Sequence, residues 1–115
     1  MKIITLTLTI LLMLVGLANA EEGIASFYTV KSSGNITANG ERYNESLLTC
    51  ASMSHKFNTL LRVTNIENGK SVVVRVTDRG GFKKYGRIID LTPRAFSAIG
   101  NLKQGILKVK VEVVK

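Results

Sequence analysis

Residues 59 to 78 read TLLRVTNIENGKSVVVRVTD, and their alternation decides the kind of protein this is. Thr59 to Asn65 and Lys70 to Asp78 are β-rich runs joined through Glu67-Asn68-Gly69. Asn-Gly is a pair that accepts positive φ, so the two runs read as a hairpin. Leu61 and Val63 share one face, as do Val72, Val74 and Val76, while Arg62, Thr64, Arg75 and Thr77 take a face expected to be partly wet. The arms echo each other, LRVTN at 61–65 against VRVTD at 74–78.

Working outward, a Gly-rich loop runs from Arg79 to Gly86, and a short apolar strand follows from Arg87 to Leu91. Thr92 caps a helix with Pro93 at its first position, where a missing N–H costs nothing. Ala95, Phe96 and Ile99 form that helix's apolar side, and Gly100 ends it. In the last strand Leu107, Val109, Val111 and Val113 point one way and Lys108, Lys110 and Glu112 the other. Upstream of the hairpin, Gly23 to Val30 alternates loosely and reads as an edge strand. Residues 31 to 40 are polar and turn-forming, and Asn44 is expected to cap one helical turn over Glu45 to Leu48. Short twisted strands, one good helix and polar loops describe a mainly β protein, a small barrel whose closure removes exposed valine-rich edges.

The N-terminus has a different character. Lys2 precedes an apolar stretch from Ile3 to Leu17, and Ala18-Asn19-Ala20 has the small-x-small pattern of a cleavage site. Residues 1–20 are therefore expected to be a secretory signal peptide and residues 21–115 a single domain. The apolar stretch falls short of the ~20 residues needed to cross a bilayer, and no cysteine marks the cleavage point, so no membrane anchor is expected. The formal net charge of +8 becomes +7 on loss of Lys2. That sign suits nucleic acid, anionic membranes or anionic wall polymer, and export disfavours nucleic acid as a partner. Cys50 is the sole cysteine, so no internal disulfide can form, and it is expected to be a buried, inert thiol. One histidine and no cysteine cluster argue against a metal site.

The acidic residues separate by setting. Glu21, Glu22, Glu45, Glu67 and Glu112 fall where solvation is the ordinary role. Glu41 follows the Asn39-Gly40 turn, Asp78 closes a strand before a double glycine, and Asp90 sits inside an apolar strand. A carboxylate beside apolar side chains loses hydration and becomes suited to donating a proton, which cleavage of a glycosidic bond requires. A second negative charge can stabilise the oxocarbenium-like centre. Structural roles fit the same residues: Asp78 can accept backbone N–H bonds in its turn or pair with Arg79 or Arg87, and Asp90 can pin the Thr92 helix.

From Gly23 to Val113 the chain resembles the rare lipoprotein A (RlpA) domain, a six-stranded double-psi β-barrel related to barwin and expansins. The resemblance rests on GIASFY at 23–28, TANGERY at 37–43, LTCA at 48–51, FNTLLRVTN at 57–65, NGKSVVVRV at 68–76 with TDRG at 77–80, and GRIIDL at 86–91. It implies a lytic transglycosylase acting on peptidoglycan glycan strands that lack stem peptides. Such an enzyme cuts between N-acetylmuramic acid and N-acetylglucosamine and leaves 1,6-anhydro ends, with no metal or organic cofactor. Glu41 matches the family's functional glutamate, Asp78 the aspartate of its Asp-Arg-Gly-Pro-Phe motif, and Asp90 the acid of related glycan-active barrels. These three are the expected catalytic residues, with Arg75, Arg79, Arg87, Tyr43, Ser52 and His55 on the substrate. Arg42, Lys83 and Lys84 would extend a cationic rim.

Two positions depart from the family pattern: Ser52 stands where the family has a histidine, with His55 three residues on, and Gly81 replaces a proline. The expectation is an exported monomer in the periplasm, the extracellular space or the cell wall, with peptidoglycan glycan strands as partner. A non-catalytic expansin-like glycan binder, and a basic effector or inhibitor of another protein, are the competing readings.

Overall fold

The computed structural model describes residues 20–29, 35–80 and 84–115. The expected signal peptide lies outside the described residues except for Ala20, as do Val30, residues 31–34, and Gly81 and Lys83.

Six strands close into a barrel: β1 (Ala20–Phe27), β2 (Thr49–Ala51), β3 (Leu60–Asn65), β4 (Ser71–Asp78), β5 (Arg87–Leu91) and β6 (Ile106–Val113). Their order around the barrel is β1-β5-β2-β4-β3-β6. The hairpin expected from the sequence is β3–β4, with Leu61 opposite Val74 and Val63 opposite Val72. Gly69 takes φ 75° in its connection, a value that a side-chain-bearing residue rarely adopts. Leu61, Val63, Val72, Val74 and Val76 all face the core, where they meet Leu107, Val109 and Val111 of β6.

Two pairings are parallel, β1 with β5 and β2 with β4, and each carries a register shift, between Ile24 and Ala25 and between Cys50 and Ala51. An extra residue on one strand twists the ladder and re-aims the side chains beyond it. Those side chains belong to Ser26 on β1 and to Ala51, which lies opposite Asp78 of β4.

The helix α1 (Pro93–Ile99) buries Ala95, Phe96 and Ile99, as its periodicity predicts. Thr92 Oγ1 accepts from the Ala95 N–H at 3.3 Å and donates to the Leu47 carbonyl at 2.6 Å. Phe27 and Phe96 meet edge to face at 5.0 Å, an arrangement favoured by the ring quadrupoles. At the other end of α1, the side-chain amides of Asn65 and Asn68 both donate to the Ile99 carbonyl, at 2.8 and 2.9 Å. The hairpin thereby caps the helix.

Four local expectations need correction. β1 pairs with β5 on one side and β6 on the other, so it is interior to the sheet and not an edge. Asn44 starts one hydrogen-bonded turn that closes already at Leu47, its carbonyl accepting from the Leu47 N–H at 3.2 Å and its Oδ1 from the Ser46 N–H at 2.9 Å, and no helix over Glu45 to Leu48 follows. Thr77 is buried, because the 35–43 loop folds over the end of β4 and the Asn39 N–H donates to the Thr77 carbonyl. Val113, read as inward-facing, is half exposed where β6 runs out of the barrel. Cys50 is fully buried in β2, and its thiol is pushed up to about 12 by desolvation and then by the nearby Asp90 charge.

Candidate active site

β2 is only three residues long, yet it organises the site. Ala51 lies opposite Asp78 on one neighbouring strand and opposite Asp90 on the other. Adjacent strands stand about 4.8 Å apart, so the two aspartate backbones sit roughly 10 Å apart across Ala51. Both line one open groove of about 440 Å³, together with Tyr28, Tyr43, Thr37, Arg79 and Gly80.

The two carboxylates are held differently. Asp78 Oδ1 accepts from the Ala38 N–H at 3.0 Å and the Arg79 N–H at 2.9 Å, and Oδ2 accepts from the Tyr28 hydroxyl at 3.2 Å. Three donors aimed at two oxygens complement a negative charge. Asp90 is 7% exposed. Its Oδ1 accepts from the Ser26 hydroxyl and from Arg87 Nη2, the latter at 2.7 Å. Arg87 Nη2 also donates to Ser26 Oγ at 2.8 Å, which closes a three-residue cluster. Oδ2 of Asp90 faces Gly80, where an added Cβ would stand 3.0 Å from it.

Glu41 is at the mouth, not on the groove lining. Its Oε2 accepts from Arg75 Nη1 and from Asn39 Nδ2, both at 2.9 Å. The hydrogen bond from Arg75 first, and that from Asn39 second, hold its carboxyl below the usual glutamate range. Arg75 and Asn39 thus favour the ionised form of Glu41. The structure brings Asp78 and Asp90 together and sets Glu41 apart.

Tyr28 and Tyr43 build the opposite wall, with ring centroids 4.9 Å apart and the Tyr43 hydroxyl donating to the Tyr28 carbonyl at 2.5 Å. Burial, then the Asp78 charge, raises the Tyr28 hydroxyl well above its ordinary value. Burial, then the Glu45 and Asp78 charges, pushes Tyr43 up to about 12. Both therefore stay protonated and act as donors. Ser26 and Tyr28 carry no role in the sequence reading, although both lie in the GIASFY segment that bears the resemblance.

The expected substrate-binding cations are differently engaged. Arg75 bridges Glu41 to Asn58 Oδ1, the latter at 2.9 Å, and Arg87 is committed to Asp90 and Ser26. Arg79 reaches the groove but lays its guanidinium over the Phe57 ring at 3.8 Å. Ser52 is 1% exposed, and its Oγ lies 3.1 Å from His55 Nδ1; neither residue lines the groove. Among the described residues no three His, Cys, Asp or Glu side chains gather as metal ligands.

Comparison with known proteins agrees with this geometry. The pattern of the lytic transglycolase family matches residues 20–111. The endolytic peptidoglycan transglycosylase RlpA of Pasteurella multocida is 46% identical over 96 residues, which are 84% of this chain and 32% of that protein. The probable endolytic peptidoglycan transglycosylase RlpA of Synechocystis is 47% identical over 93 residues, 81% of this chain and 29% of that protein. The chain thus spans about a third of the length of these relatives. Among solved structures, the Streptomyces papain inhibitor superposes with TM-score 0.68 at 20% identity, covering 84% of this chain and 94% of that one. An apo expansin of Clavibacter michiganensis superposes with TM-score 0.64 at 27% identity, covering 84% of this chain and 50% of that one. A closed six-stranded barrel with two parallel pairings, and a family pattern matched from β1 into β6, lead to one conclusion: this chain belongs to the lytic transglycolase family of RlpA-like double-psi β-barrels.

Proposed function

We propose that the domain cleaves the glycan strands of peptidoglycan non-hydrolytically, between N-acetylmuramic acid and N-acetylglucosamine in stretches free of stem peptides. The observation that carries this reading is the placement of Asp78 and Asp90 on either side of Ala51 along one groove. Asp90 protonates the glycosidic oxygen as the bond to the anomeric carbon breaks. Asp78, an anion held by three donors, stabilises the positive charge that develops there. The muramic C6 hydroxyl then attacks the anomeric carbon and returns its proton to the Asp90 carboxylate. The product is a 1,6-anhydro end, no water is consumed, and the protein regains its starting protonation state. Tyr28 and Tyr43 supply apolar ring faces and hydroxyl acceptors to the sugars, their protons being committed to Asp78 Oδ2 and the Tyr28 carbonyl. The named activity of the relatives supports the same reading. So do Lys2, the apolar run and Ala18-Asn19-Ala20, which fit export to the periplasm, the extracellular space or the cell wall.

Mass spectrometry of denuded glycan strands after incubation tests this. Wild type is expected to generate anhydro-muramic ends. Asp90→Asn and Asp78→Asn are each expected to lose about 100- to 10,000-fold in rate while remaining folded. Undiminished turnover in a folded Asp90→Asn variant would remove it from the chemistry. The buried Ser52, which puts no imidazole on the groove, favours a second reading, a non-catalytic glycan binder. That reading predicts glycan affinity with no new anhydro ends.

A further inference from the structure

The end of β4, whose Asp78, Arg79 and Gly80 reach the groove, lies between two loops, residues 35–43 and 52–58. The Asn39 N–H donates to the Thr77 carbonyl, and the Ala38 N–H donates to Asp78 Oδ1, which fastens the first loop. On the other side the Ser52 N–H donates to the Asp78 carbonyl and the Asn58 N–H to the Val76 carbonyl. Arg79 completes this second attachment. Its Nη1 donates to the carbonyls of Ser52 and His55, both at 3.1 Å, while its guanidinium carbon stands 3.8 Å above the Phe57 ring. A planar fork that also stacks on an aromatic can do this, whereas a lysine ammonium offers neither the plane nor the fixed fork.

We propose that Arg79 is a positioning residue, a latch that ties the 52–57 loop to the end of β4 and so, through the Ser52 N–H on the Asp78 carbonyl, holds Asp78 in place, and not a reader of substrate charge. Its Nη1 and its π-face are turned onto the protein. Asp78 and Arg79, adjacent in sequence, thus tie the two loops: the carboxylate holds the 35–43 loop, and the guanidinium holds the 52–57 loop. Arg75 braces the same two loops from below, because its Nη1 meets both Glu41 Oε2 and Asn58 Oδ1. His55 sits inside the latched loop with Nδ1 3.1 Å from Ser52 Oγ, and it is the chain's one histidine. Its imidazole is therefore an unambiguous reporter of the loop.

The test compares Arg79→Lys, Arg79→Ala and Phe57→Leu with wild type. The readouts are the NMR titration and line shape of the His55 ring, the salt dependence of binding to denuded glycan, and turnover. A latch predicts that all three variants shift the His55 resonances in the same direction. It also predicts that the salt dependence of binding stays at the wild-type slope and that lysine fails to rescue alanine. Turnover, an arm that rests on the glycan-cleaving reading, is expected to fall about 10- to 100-fold in every variant, as for a small misplacement of Asp78. Wild-type behaviour of Arg79→Lys, with His55 resonances unmoved in Arg79→Ala and a shallower salt slope, would overturn the proposal in favour of charge recognition. If wild type gives no turnover, the cleavage reading fails, and the His55 resonances alone decide the latch.

Discussion

Gly80 is the most economical place to challenge the assignment of Asp90. It is buried, and a Cβ there would stand 3.0 Å from both Ala51 Cβ and Asp90 Oδ2, closer than the 3.4–4 Å of ordinary contact. Neither neighbour can retreat freely. Ala51 is paired on both sides, and the Asp90 carboxylate is anchored through Oδ1 by Ser26 and Arg87. Overpacking of this kind costs ~1–3 kcal/mol. Reduced freedom of the unfolded chain offsets ~0.4–1 kcal/mol of that cost. The net loss for Gly80→Ala is therefore about 0–2.6 kcal/mol, or a fall in Tm of at most about 20 °C for a domain of this size. The effect on chemistry is larger, because the added methyl stands against the Asp90 carboxylate on the groove lining. Turnover is expected to fall about 100-fold or more, toward that of Asp90→Asn. The assay pairs a calorimetric melt with quantified anhydro-muramic ends at a temperature where both proteins are fully folded. A folded Gly80→Ala protein with wild-type turnover would count against Asp90 as the proton donor, which would have to be sought elsewhere.

Two further outcomes follow from the contacts. The Glu41 pKa is depressed from its ordinary 4.5, so its contribution to stability is present above that value and is lost as pH falls through the lower folded value. The Tm difference between wild type and Glu41→Gln is expected to exist at neutral pH, to narrow below about pH 4.5 and to shrink with salt; a gap that widens in acid would contradict the Arg75 clamp. Asn65→Ala removes a buried amide from the Ile99 carbonyl, but Asn68 still donates to it, so the expected cost is about 1–2 kcal/mol rather than the full penalty of an orphaned acceptor. An unchanged melting curve would show that the Asn65 amide adds nothing to the cap that Asn68 supplies.

What the sequence determined by itself was local. Alternation over Leu60–Asn65 and Ser71–Asp78, the Asn-Gly turn, the Thr92-Pro93 start and the apolar run of β6 each have a period or a cap that acts within a few residues, and each appears in the structure where it was expected. The family motifs added the fold and the three carboxylates. Tertiary structure decided the rest, because the site is built from pairings that leave no periodic trace. β2 has only three residues, too few to show a repeat, yet its register sets Asp78 and Asp90 on the same groove. Ser26 reaches Asp90 across 64 residues of sequence, and Tyr28 reaches Asp78 across 50. The arginines show the same division most plainly. In the sequence Arg75, Arg79 and Arg87 are three cations near a polyanion-binding face. In the folded chain each finds a carboxylate, a carbonyl or a ring of its own, because closing the barrel brings those partners within hydrogen-bonding or stacking distance before any ligand arrives.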